Sequence, residues 1–151
     1  MGAGYETILI AIDGSDEAED VLRTATELEP RQLEKFRVIT VIPPVLGGVG
    51  GVDGMSFAAS WPLQEMESQM RREITANVRE RIAHFGIAPD QTVVAFGRPA
   101  AEIRAYAEKI AADLIVIGSH GRHGVAGLLG STANGVVHGT PCDVLVVRVK
   151  G

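Results

Sequence analysis

Five short apolar runs, Ile8 to Ile12, Val38 to Ile42, Val93 to Phe96, Leu114 to Ile117 and Val144 to Val149, constrain this chain more than any other feature. Most are apolar at successive positions instead of alternate ones. Both faces of each strand must then be covered, as in a parallel sheet sandwiched between helices. The segments between the runs carry a helical period. Ala18, Val21, Leu22, Ala25 and Leu28 share one stripe, with Ser15 as the expected N-cap and Asp16, Glu17, Glu19 and Asp20 at the positive end of the helix dipole. Leu63, Met66, Met70, Ile74, Val78, Ile82 and Phe85 form a longer stripe ending before Gly86. Pro99 opens a third helix with Ile103, Tyr106, Ala107 and Ile110 inward, and a short fourth follows Ser131 and stops near Gly139 and Pro141.

Strands alternating with helices, joined by right-handed crossovers, predict a doubly wound α/β sandwich. In such a sheet a ligand sits beyond the carboxyl ends of the strands, where the winding reverses. That rule directs the search to Asp13 after the first strand, Pro43 and Pro44 after the second, Gly97 after the third and Gly118 after the fourth. A length of 151 residues, 46% hydrophobic and 22% charged, fits one domain over residues 1–151, with no internal repeat or linker. Residues 43–60 hold Gly47, Gly48, Gly50, Gly51 and Gly54 and predict a mobile loop at the same end of the sheet.

Charge and cysteine content narrow the partners. A formal charge of -5 denies the chain the broad positive field that gathers nucleic acid or anionic lipid. Cys142 is the only cysteine, so no internal disulfide and no Cys-rich zinc site is expected, which suits a reducing cytoplasm. No stretch approaches the roughly 18 apolar residues that span a bilayer. The run from Met1 to Glu6 lacks the pattern of a signal peptide, and Glu6 stands where a myristoylation signal wants Ser or Thr.

The chemistry concentrates after the fourth strand, from Gly118 to Thr132. Glycines recur at every third position from 118 to 130, which disfavours a helix and predicts a loop whose backbone N–H groups approach an anion unobstructed. Gly130, Ser131 and Thr132 then present a helix N-terminus suited to phosphate, and Arg122 can add a charge-assisted contact. No Gly-Lys pair exists, so a Walker A loop is excluded; no Gly-x-Gly-x-x-Gly follows the first strand, and Gly-x-Ser-x-Gly is absent. Each candidate also has a plainer role. Asp13 is a common turn former after a strand, and Ser131 a common N-cap. His120 and His123, three apart without a third ligand, fit loop packing or a phosphate hydrogen bond better than metal. His84 and His138 read as structural, Cys142 as a small buried hydrophobe, and Met66 with Met70 as core.

Ile8-Leu9-Ile10-Ala11-Ile12-Asp13-Gly14-Ser15 resembles the first strand and closing Asp-x-Ser of the universal stress proteins. Asp113-Leu114-Ile115-Val116-Ile117-Gly118-Ser119-His120-Gly121-Arg122 is similar to their fourth strand and phosphate loop. Gly130-Ser131 and Pro141-Cys142-Asp143-Val144-Leu145-Val146-Val147 complete a likeness over nearly the whole chain. It implies a three-layer, Rossmann-like α/β sandwich with a five-stranded parallel sheet of order 3-2-1-4-5. In the nucleotide-binding branch, ATP, with Mg2+, lies on a Gly-x2-Gly-x9-Gly-Ser/Thr motif. Position by position, Asp13 beside Ala11 would hold the ribose and the backbone near Val41 the adenine. Gly118, Gly121, Gly130 and Ser131, with Arg122 and Thr132 beside them, would hold the phosphates. The second gap here, Arg122 to Leu129, is eight residues where the motif has nine.

The resemblance also implies a homodimer joined along the last strand, Val144 to Val149, whose edge would otherwise be left open. The reading that follows is a cytoplasmic ATP-binding regulatory module of the stress response, open to a regulatory protein partner and not an enzyme beyond slow ATP hydrolysis. The alternative is a dimeric stress-response adaptor that binds no nucleotide, which the short gap favours and the retained Gly118, Gly121, Gly130 and Ser131 oppose. An adenylating or phosphate-transferring enzyme ranks third, since no catalytic constellation is visible.

Overall fold

The computed structural model of the protein describes residues 4–44, 56–120 and 129–149. Strands β1 (Ile8–Ala11), β2 (Phe36–Ile42), β3 (Thr92–Phe96), β4 (Leu114–Gly118) and β5 (Asp143–Val147) alternate with helices α1 (Ala18–Leu28), α2 (Ser56–Ala83), α3 (Pro99–Lys109) and α4 (Ser131–Gly139). All strand pairs are parallel, in the order β3-β2-β1-β4-β5, as the resemblance implied. Ile8 lies level with Phe36 on one side and with Leu114 on the other, which makes β1 the axis of the sheet.

The two sheet faces explain why the runs do not alternate. Ile8, Ile10, Phe36, Val38, Leu114 and Val116 pack against Val21, Leu22 and Ala25 of α1 and Val78 and Ile82 of α2. The intervening residues Leu9, Ala11, Ile39, Ile115 and Ile117 pack against Ile103 and Ala107 of α3 and Ala133 and Val136 of α4. Every residue of β1 is buried because each face has its own helical layer.

Four expectations are corrected. Ser15 does not cap α1 with its side chain. Glu17 precedes the helix, and the Ser15 hydroxyl bonds to Asp13 while its carbonyl accepts the Ala18 N–H at 3.2 Å. Met66 is not core: it is 58% exposed, and the α2 stripe is buried only at Val78 and Ile82. A 28-residue helix runs about 1.5 Å per residue, far longer than a strand of five to seven residues, so the first half of α2 overruns the sheet. The last strand ends at Val147, and Val149 turns back over the end of β4, where it is 4% exposed. The loop expected at residues 43–60 stops short of its expected end, since α2 begins at Ser56, and residues 45–55 of it lie outside the described residues.

Candidate functional site

A cavity of about 360 Å³ opens at the carboxyl ends of β1, β2 and β4. It lies where chain reversal in a doubly wound sheet leaves a crevice, because the crossovers from β1 and β4 depart to opposite faces. Ala11, Ile12 and Asp13 form its floor, Val41 and Pro43 one flank, and Gly118, His120, Gly130, Ser131 and Thr132 the other. Val21, Ile103, Ile117 and Val149 supply apolar walls. Few polar groups on a largely apolar cleft is the usual make-up of a small-molecule site.

Asp13 follows β1 directly and is exposed at the mouth of the cavity. One carboxylate oxygen, Oδ1, accepts the Ser15 backbone N–H at 2.9 Å and the Ser15 hydroxyl. This Asx turn fixes the side chain and leaves Oδ2 without a partner among the described residues. The plain turn-forming role and a ligand role are therefore compatible, one on each oxygen. Arg81 of α2 donates to the Ser15 carbonyl at 2.6 Å, which ties the same turn to the neighbouring helix. Glu17 also lines the cavity, a position its helix-dipole role gave no reason to expect.

The opposite end is built for negative charge. Gly130 stands at the start of α4 with no side chain to cap it, and its own N–H donates to the Ser119 carbonyl at 2.7 Å. The first N–H groups of a helix have no partner within it, and those of Ser131, Thr132 and Ala133 meet no acceptor among the described residues. They line the cavity together with the positive end of the helix dipole. A Cβ at 130 would lie 3.1 Å from the His120 Cα, a tight contact that presses on the backbone there. At 118 a Cβ would lie 3.2 Å from Val21 and 3.3 Å from Val149, so Gly118 serves close packing of the cavity wall as well as open approach.

The structure thus brings Ala11, Asp13, Val41, Gly118, Gly130, Ser131 and Thr132 around one cavity. Gly121, Arg122 and His123 lie outside the described residues, as does the Gly47 to Gly54 stretch. Sequence reasoning missed Val21, Val149 and the tie made by Ser119, whose N–H donates to the Val147 carbonyl at 2.7 Å and whose Oγ accepts the Val149 N–H at 3.2 Å. The packing of α1 on the sheet reveals the first, and the apposition of β4 and β5 the other two. His138 is exposed, with Nδ1 donating to the Asn134 carbonyl at 2.8 Å within α4. No cluster of three His, Cys, Asp or Glu side chains able to hold a metal ion occurs among the described residues. No helix among them is long and apolar enough to cross a membrane.

Known proteins match this chain in sequence and in fold. The model of the universal stress protein family matches residues 4–148. Universal stress protein A homolog 2 of Coxiella burnetii is 32% identical over 148 residues, covering 97% of both chains. Among solved structures, hypothetical protein MJ0577 superposes with a TM-score of 0.78 at 22% identity, covering 99% of each chain. A universal stress protein in complex with cAMP superposes with a TM-score of 0.61 at 21% identity, covering 96% of this chain and 98% of that one.

Proposed function

Because the chain belongs to the universal stress protein family, we propose that it is an ATP-binding regulatory protein of the stress response, acting in the cytoplasm as a homodimer. The observation that carries the reading is the α4 N-terminus: three backbone N–H groups without an acceptor among the described residues, facing a cavity with the Asp13 carboxylate across it. That pairing suits a ligand with hydroxyls at one end and phosphates at the other. Asp13 Oδ2 accepts hydrogen bonds from the ribose, the β2 end at Val41 and Pro43 borders the base, and Ser131, Thr132 and Ala133 receive the phosphates. A family structure in complex with cAMP supports an adenine nucleotide as the ligand class.

Bound Mg2+ would supply charge neutralisation on the phosphates. Asp13 and Glu17 put two carboxylates on the cavity wall, and a cation carried by the ligand offsets their repulsion. The residues around the cavity argue for binding over turnover. Ser119 contacts His120, but its hydroxyl is engaged by the Val149 N–H and does not line the cavity, so it is not placed as a nucleophile. The protein's output in this reading is a nucleotide-dependent surface or dimer, and hydrolysis is slow at most.

The eight-residue gap from Arg122 to Leu129 favours a second reading, a dimeric adaptor without nucleotide. Chromatography of nucleotide released from freshly purified protein, followed by calorimetric titration with ATP and magnesium, separates the two. Co-purified nucleotide or micromolar affinity is the expected result; a folded protein that binds none is an adaptor.

A further inference from the structure

The Ser119 hydroxyl holds two neighbours at once. Its Oγ accepts the Val149 N–H at 3.2 Å and lies 3.3 Å from Nδ1 of His120. A backbone N–H can only donate, so the hydroxyl proton is free for another acceptor, and among the described residues the His120 Nδ1 is the one in reach. An Nδ1 that accepts carries no proton, and the neutral imidazole must then hold its proton on Nε2. His120 lines the cavity beside Gly130, whose missing Cβ lets the His120 backbone approach within 3.1 Å of where that atom would sit. The backbone and Cβ of His120 therefore lie beside the uncapped start of α4, on the wall of the same cavity.

We propose that Ser119 is a positioning residue of the phosphate end: by fixing His120 as the Nε2–H tautomer, it adds a side-chain donor to the backbone donors of α4. The inference rests on the adenine-nucleotide reading for its ligand; the tautomer is its own step, because the hydroxyl has a second lone pair that a proton on Nδ1 would meet instead. Ser119 reaches this role through its side chain, since its own N–H and carbonyl are spent on Val147 and Gly130.

Two measurements test it. Nitrogen-15 spectra of the wild-type imidazoles should show neutral His120 protonated on Nε2; protonation on Nδ1 overturns the proposal without any variant. Calorimetry with ATP and with adenosine then reads the phosphate end separately from the base and ribose. In Ser119→Ala the affinity for ATP should fall about tenfold more than that for adenosine, the scale of one charge-assisted hydrogen bond. Ser119→Thr, which keeps the hydroxyl, should restore it. His120→Ala should show the same selective loss, and the double variant no more than either single one. Equal losses for both ligands, or additive losses in the double variant, overturn the positioning role. Wild-type protein that binds neither ligand defeats the nucleotide reading instead, whatever the tautomer.

Discussion

Asp13 shows at residue scale how one side chain can serve fold and ligand together. Its Oδ1 closes the turn with Ser15, while Oδ2 has no partner among the described residues and the residue lines the cavity. Asp13→Ala should cost about 1 kcal/mol of stability from the lost turn bonds. It should also weaken ATP while removing any preference for ATP over its 2′-deoxy form, as read by calorimetry. An undiminished ribose preference would show that the carboxylate does not touch the sugar. At the far end of the sheet, the Tyr5 hydroxyl donates to Asp143 at 2.9 Å, and Asp113 accepts the Glu6 and Thr7 N–H groups at 2.8 and 3.0 Å. The hydrogen bond to Asp143, then burial, then the two negative charges raise the Tyr5 phenol above its ordinary 10.0. A raised acid stabilises the fold fully below the unfolded value and loses that contribution as pH climbs through the folded one, so this tie fails only in strong alkali. With the other tyrosine removed as Tyr106→Phe, absorbance at the phenolate band should titrate above 10.0 and move down in Asp143→Asn.

The two edges of the sheet differ at the scale of elements. β3 is covered: Arg71 of α2 donates to the Val94 carbonyl and holds its guanidinium 4.6 Å from the centre of the Phe96 ring. An edge carbonyl engaged by a charged side chain cannot recruit another strand. Arg71→Ala should cost about 1 kcal/mol, a cation–π contact and a hydrogen bond in an exposed setting. It should also raise the amount of higher oligomer in sedimentation at high concentration. An unchanged distribution would mean that α2 itself, and not this side chain, shields the strand. The overrun of α2 belongs to the same scale: the period of Leu63 to Phe85 identifies a helix face, but only strand length decides how much of that face meets the sheet.

At the scale of the whole molecule, β5 is the other edge of the sheet, with no strand beyond it among the described residues. Val147 directs its carbonyl to β4, where it accepts the Ser119 N–H, so the alternate residues Val144 and Val146 turn their backbone groups outward. Val144, Leu145 and Val146 are half-buried within one chain. Pairing of two copies along β5 would satisfy those groups, which is the homodimer proposed above. Val146→Pro removes one outward N–H without touching the β4 ladder. Sedimentation equilibrium should show it monomeric while it still binds nucleotide; a dimer of unchanged strength would place the interface elsewhere.

What the sequence determined by itself is what local pattern encodes. Unbroken apolar runs specified a sheet covered on both faces, helical periods supplied the layers, and Asp13, Gly118, Gly130 and Ser131 stood out because turn and helix-end chemistry is written in neighbouring residues. Tertiary structure alone decided the rest. Val21 joins the cavity wall from α1, and Ser119 ties Val149 into that wall because β4 and β5 end side by side, although the two are 30 positions apart. Met66 left the core because α2 outruns the strands beneath it. Both outcomes depend on distances between elements, and periodicity carries no information about those.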